Sequence, residues 1–328
     1  MDGKAPENKS TIEGIHHITA IAGDAQENLD FYSGVLGMRL VKKSVNQDDP
    51  GTYHLFYADA EGHPGTDLTF FPWAHMPRGR KGAGLSVEVA LAVPTGSLEY
   101  WSERLASHNV EMSAIETRFN ERALPFQDPH GMELALAETS SPRLFTPWDR
   151  SPVPEEYQIR GLHSARLWER SLDTTANFLT DVLGFERLGS EGDWVRFGVR
   201  GGGSGMFIEI QEMPGERLGQ WGVGSVHHIA WRVPDNAEEL AMRQQVIAGG
   251  GHPTEVIDRF WFKSVYFREP GGVLFELATD GPGFAIDEHQ DNLGEQLILP
   301  PWLEGYRASI EAALPVLTPP HIKAASIE

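Results

Sequence analysis

Two histidine pairs and one glutamate carry the metal chemistry this chain can do. Ile15-His16-His17-Ile18 and Val226-His227-His228-Ile229 each set two adjacent imidazoles in an apolar run, and Glu276 lies in another, Leu274 to Leu277. On a strand, neighbouring side chains point to opposite faces, so alternation alone does not say which histidine of each pair faces inward. Two imidazoles and one carboxylate with open positions form the facial set of non-heme Fe(II) oxygenases, although these ligand types also suit Zn and Mn. The chain contains no cysteine. Thiol nucleophiles, iron–sulfur clusters and thiolate zinc sites are thereby excluded, and a metal must be held by His, Asp or Glu.

An internal repeat sets where those residues stand. Phe31 to Arg39 reads FYSGVLGMR and Phe178 to Glu186 reads FLTDVLGFE. The same shift carries Gly14-Ile15-His16-His17 onto Gly161-Leu162-His163-Ser164. Phe126 to Leu136 (FQDPHGMELAL) matches Phe267 to Leu277 (FREPGGVLFEL), and that shift puts Arg118 on Arg259. The chain divides into four units, 14–73, 84–138, 160–212 and 226–280, each reading strand–helix–three strands. In the first, Asp24 with Glu27 predicts a capped helix start, and Leu29, Phe31, Tyr32, Val35 and Leu36 form its buried face. Gly37 marks the helix end. Alternation predicts strands over Thr52 to Tyr57, Asp67 to Phe71, Trp194 to Val199 and Met206 to Ile210. The expected class is α+β, four βαβββ modules. One module is too small to bury its own sheet face, so modules must pair, into two concave mixed β-sheets.

The repeat also ranks the histidines. His16 aligns with His163, whereas His17 aligns with Ser164. Aligning Pro94 with Pro234 puts Val87 on His227 and Glu88 on His228, and Glu276 falls on Ala135. Pairing the first unit with the fourth gathers His17, His228 and Glu276 as metal ligands. The corresponding slot at the end of the first unit lies near Thr69 and holds no carboxylate. Units two and three offer Glu88, Ser164 and Glu209 without an equivalent imidazole and are expected to be metal-free. A single histidine on an apolar strand is more often a satisfied core residue; the duplication with an aligned glutamate favours the metal.

At 328 residues and 40% hydrophobic, the chain has material for two domains and a large core. The expected organisation is a disordered tail (1–12), an N-terminal domain of modules 1 and 2 (13–138), a proline-rich linker (139–159), a C-terminal domain of modules 3 and 4 (160–280) and a C-terminal arm (281–328). A helical stretch is expected from Trp302 to Ala313. A net charge of −20 argues against nucleic acid and anionic membrane surfaces as partners. With no targeting pattern and no long apolar run, the expected location is the cytoplasm. There is no P-loop, no G-x-S-x-G and no G-x-G-x-x-G. A homo-oligomer is the default expectation.

The modules with FYSGVLGM, GIHHIT, VHHIAW and FREPGGVLFEL resemble the vicinal oxygen chelate (glyoxalase/extradiol dioxygenase) superfamily. Within it the likeness is to ring-cleaving dioxygenases of the hydroquinone type, over nearly the whole chain. The resemblance implies a two-domain vicinal oxygen chelate fold and Fe(II) held by His17, His228 and Glu276. It implies that His16, Thr19, His227, Arg259 and Tyr266 surround those ligands, with a small aromatic substrate and O2; of these, His227 and Tyr266 are candidates for proton transfer and Arg259 for stabilising negative charge. Catechol extradiol enzymes draw their first ligand from the third unit, where the candidate would be His163. A glyoxalase-like enzyme with a fourth protein ligand, or a metal-free binder of small aromatic compounds, are the other readings. Phe260, Trp261 and Phe262 are candidates for an aromatic pocket, and Asp258 or Glu269 for an ion pair with Arg259.

Overall fold

The computed structural model describes residues 12–320. Four modules follow one another. The first holds β1 (Ile15–Ala22), α1 (Ala25–Leu29), β2 (Arg39–Asn46), β3 (Asp49–Ala58) and β4 (Asp67–Pro72). The second holds β5 (Leu85–Pro94), α2 (Leu98–Ser107), β6 (Glu116–Arg118), β7 (Glu121–Gln127) and β8 (Glu133–Thr139). The third holds β9 (Gly161–Glu169), α3 (Leu172–Asp181), β10 (Glu186–Glu191), β11 (Trp194–Gly198) and β12 (Phe207–Glu212). The fourth holds β13 (Val226–Val233), α4 (Asn236–Ala248), β14 (Ile257–Asp258), β15 (Lys263–Arg268) and β16 (Leu274–Thr279). The expected strands all form. The first helix starts where Asp24 caps it, its carboxylate accepting from Gln26 N at 2.8 Å and Glu27 N at 3.0 Å. It then widens into a π-helical turn, Asp30–Val35, before Gly37 at φ +72°.

The modules pair across the chain. One 8-stranded sheet runs β14-β15-β16-β13-β1-β4-β3-β2, joining the fourth module to the first; the other runs β10-β11-β12-β9-β5-β8-β7-β6, joining the third to the second. At the centre of each, the opening strands of two modules lie antiparallel, β1 on β13 and β5 on β9. The segments linking modules within each half cross between the sheets, bridging Arg78 to Val223 and Ala83 to Leu218. Two positions in that crossing leave no room for a side chain. A Cβ on Gly82 would meet Arg217 O at 2.5 Å, and one on Gly222 would meet Pro77 O at 2.3 Å.

Beyond the fourth module the chain returns to the first. Leu297 bridges to Lys43 on the edge strand β2, so this edge is covered. Lys42 is fully buried and pairs with Asp287 at 2.7 Å and with Glu288. The last helix, α5 (Arg307–Ala313), follows a 3-10 turn at Glu304–Tyr306, shorter than the expected stretch from Trp302. The proposed N-terminal tail lies outside the described residues except for Ile12, which is fully buried in the core. Among the described residues no helix is long and apolar enough to cross a membrane.

Candidate metal centre

His17 comes from β1, His228 from β13 and Glu276 from β16, three neighbouring strands of one sheet. All three side chains are buried, with residue exposures of 2%, 3% and 0%. His228 Nε2 lies 2.9 Å and His17 Nε2 3.3 Å from Glu276 Oε2, and the two imidazole nitrogens are 3.2 Å apart. The β1–β13 ladder slips between Ile15 and His17 and again between Thr19 and Ala20. Such irregularities re-aim side chains next to sites.

The neighbouring histidines fix which nitrogen faces inward. His16 Nε2 lies 3.1 Å from Thr279 O, and a carbonyl only accepts, so this nitrogen carries the proton. His16 Nδ1 is then an acceptor, and it lies 2.9 Å from His17 Nδ1, which must donate. In neutral His17 this leaves Nε2 as the lone pair that faces Glu276, the form in which it could hold a metal. The fourth module repeats the arrangement, with His227 Nδ1 2.8 Å from His228 Nδ1. His227 is held by stacking on Trp221, with ring centroids 4.4 Å apart. On the other side, Ser264 Oγ donates to Glu276 Oε1 at 2.5 Å, while the buried Glu276 Oε2 faces only the two imidazole nitrogens. Two imidazole nitrogens converging on one carboxylate oxygen are the donor set that a divalent cation satisfies.

The electrostatics agree. Burial, with a smaller contribution from His17, lowers the His16 pKa to about 3. Burial and His228 do the same for His227, also to about 3. Burial lowers His228, against Glu276, which pulls it up. Burial alone would raise Glu276, but the imidazoles of His17 and His228 hold it well below the usual carboxylate range. The Glu276 carboxylate is therefore ionised at neutral pH, the form in which it could hold a cation.

The site opens into a pocket whose lining includes Phe56, Phe71, Trp261, Phe262, Arg259 and Tyr266. Phe262 packs on both His16 and His17, with ring centroids 5.3 and 5.2 Å away. Phe260 turns away to pack on Trp302. It adopts φ +75°, a left-handed conformation rare for a bulky residue, as the chain passes between the two pocket residues Arg259 and Trp261. The Arg259 guanidinium sits 5.4 Å from the Tyr266 ring centroid and pairs with Asp48 at 3.0 Å, rather than with Asp258 or Glu269. Burial would lower Arg259, but Tyr266 and Asp48 keep it above its ordinary value. Burial raises the Tyr266 phenol, Glu276 adds to this, and Arg259 opposes it.

Thr19 is fully buried and hydrogen-bonds Thr69 at 2.7 Å. His163 is not at the site. It stands in the other sheet, with Nδ1 3.2 Å from Ser204 Oγ and Nε2 3.3 Å from Glu121. The sheet order puts His163 in the module that joins the second rather than the fourth, away from His228. In that sheet Arg118 and Arg166 pair with Glu88, while Arg166 and Arg196 pair with Glu209. Guanidinium groups thus neutralise the carboxylates there. Two residues that the motifs did not flag belong to the centre, Ser264 and His54. His54 Nε2 bonds Thr69 at 2.9 Å. The strand register sets His54 on Ser264, an equivalence that a fixed shift along the sequence does not give because the β3–β4 and β15–β16 connections differ in length.

A family model described as the Glyoxalase/Bleomycin resistance protein/Dioxygenase superfamily matches residues 14–136 and 161–277. The chain is 46% identical over 301 residues to MhqO of Bacillus subtilis (strain 168), a provisionally named ring-cleaving dioxygenase, covering 92% of this chain and 95% of that protein. It is 35% identical over 307 residues to the chlorohydroquinone/hydroquinone 1,2-dioxygenase of Sphingobium indicum, covering 90% and 94%. The crystal structure of a provisionally named dioxygenase from Bacillus subtilis superposes with a TM-score of 0.89 at 43% identity, covering 94% of this chain and 99% of that one.

Proposed function

This chain belongs to the glyoxalase/bleomycin resistance protein/dioxygenase superfamily, and we propose that within it the protein is an Fe(II)-dependent dioxygenase that opens the ring of hydroquinone or a substituted hydroquinone with O2. The observation that carries the reading is the convergence of His17, His228 and Glu276 at the base of an aromatic-lined pocket. The relatives named for ring cleavage support it. The hydroquinone type is favoured over the catechol type because the first ligand comes from the first module and His163 lies elsewhere.

The metal, when bound, supplies Lewis acidity and electron exchange between an electron-rich ring and O2. The protein's own work is orientation, exclusion of water and charge control. His16 and His227 fix the ligand tautomers through their Nδ1 contacts. His16 Nε2 is tied to a backbone carbonyl, whereas His227 Nε2 has no partner among the described residues. His227, outside the pocket lining, is therefore the histidine whose outer nitrogen is free to exchange a proton with water, and Tyr266, which lines the pocket, is the proton carrier beside the substrate. Arg259, held cationic by its surroundings, stabilises negative charge that develops on substrate oxygens. Phe56, Phe71, Trp261 and Phe262 hold the ring and keep water out.

The test is the fate of oxygen. Turnover of hydroquinone under 18O2 should give a ring-opened product carrying label from O2, read by mass spectrometry. Unchanged hydroquinone, or oxidation to quinone without label, would contradict the assignment.

A further inference from the structure

His54 lies in the pocket but outside the ligand set. The internal symmetry of the sheet shows what it replaces. Thr19 pairs with Thr69 as Ala230 pairs with Glu276, and Phe56 opposes Thr69 as Tyr266 opposes Glu276. His54 therefore stands where Ser264 stands in the other module. Ser264 donates to the carboxylate of Glu276; His54 Nε2 bonds the hydroxyl of Thr69, which in turn bonds Thr19. Thr69 is too short to fill the space a glutamate would take. On this side His54, not a fourth carboxylate, lines the pocket beside the centre.

Other polar groups of the pocket have partners within the protein. Asn46 Oδ1 accepts from the Asp48 and Asp49 amides, and Gln47 Nε2 donates to Arg259 O at 2.9 Å. Asp48 pairs with Arg259, which also engages Tyr266. The His54 ring is fixed between Phe56 and Phe71, with centroids 3.8 and 4.4 Å away. Its Nε2 is used and, among the described residues, its Nδ1 has no partner. Burial, with the nearby His17 and His228, keeps the imidazole neutral, so Nδ1 is either an acceptor or an N–H donor. A hydroxyl can answer both.

We propose that His54 hydrogen-bonds the second ring hydroxyl of the substrate, the one the metal does not hold, and thereby selects dihydroxylated rings over monophenols. This rests on the hydroquinone reading above. A site built to bond a hydroxyl discriminates against the analogue that lacks it, because its polar atom is then left unpaired.

The test is anaerobic calorimetric titration of the Fe(II)-loaded protein with hydroquinone and with 4-methylphenol, in wild type, His54→Phe and His54→Asn, with metal content measured alongside. Phe keeps a ring between Phe56 and Phe71 without the polar atom; Asn restores one. Wild type should favour hydroquinone by about tenfold or more. His54→Phe should keep its iron and lose most of that preference, and His54→Asn should recover part of it. A full preference in iron-loaded His54→Phe would overturn the role of His54, as would wild type binding both ligands equally. Wild type binding neither phenol would overturn the hydroquinone reading itself and this role with it.

Discussion

Thr69 and Glu276 occupy equivalent places in the two halves of one sheet. Thr69 pairs with Thr19, two residues beyond His17, and Glu276 pairs with Ala230, two residues beyond His228. One half thus contributes an imidazole and a carboxylate, and the other an imidazole and a short hydroxyl. The difference separates a three-ligand centre with open positions from a closed four-ligand one.

Replacing Thr69 by Glu should therefore close the centre. Thr69→Glu is expected to hold divalent metal more tightly in competition with a chelator while its oxygen uptake falls by about tenfold or more. Full turnover in a tightly metallated variant would show that the Thr69 side is not where substrate and O2 enter.

The three ligands are not interchangeable with their neighbours. His17→Ala, His228→Ala and Glu276→Ala should each be isolated with little metal after reconstitution and dialysis. His163→Ala should retain a full complement, because His163 is engaged by Ser204 and Glu121 in the other sheet. Elemental analysis of the four proteins checks both statements.

Ser264 is predicted to act through Glu276. Losing its hydrogen bond leaves the ligand oxygen buried and free to rotate, and such changes weaken metal affinity by about 10–100-fold. Metal titration of Ser264→Ala against a competing chelator measures this. An unchanged affinity would remove Ser264 from the centre.

A carboxyl away from the site sets a pH limit on stability. Glu169, at the end of β9, is fully buried beside the carboxyl of Glu269, and Gly271 next to it leaves no room for a Cβ, which would lie 1.9 Å from Glu169 Oε2. Burial and the adjacent Glu269 raise its pKa from 4.5 to about 9. The folded protein holds this proton where the unfolded chain has released it, so its stabilising effect is complete below pH 4.5 and is lost as pH rises through about 9. Glu169→Gln, which needs no proton, should melt at least about 2 °C above wild type at pH 9. The gap should close toward pH 4.5. A gap that does not vary with pH would contradict the shift.

Much of this centre was legible in the sequence because the chain repeats itself. A His-His pair recurring at matched strand positions, with Glu276 at the end of one module, restricted the ligands without any structure. The pairing of first module with fourth followed from the same comparison. What the repeat could not supply was side-chain reach. Nothing in the alternation of β3 shows that His54 would turn toward Thr69, or that Asp48, on the opposite module, would answer Arg259. The π-helical turn after α1 was hidden too, since the spacing of Phe31, Tyr32 and Val35 suits an ordinary helix equally well. Phe260 was grouped with Trp261 and Phe262 by composition, and only its left-handed backbone separates it from the pocket.

The most direct measurement is oxygen uptake after anaerobic reconstitution with Fe(II), on hydroquinone and on catechol, in wild type and in Glu276→Ala. The account predicts iron-dependent uptake with hydroquinone, much less with catechol, and none in the variant. Equal uptake without iron, or uptake on catechol alone, would contradict it.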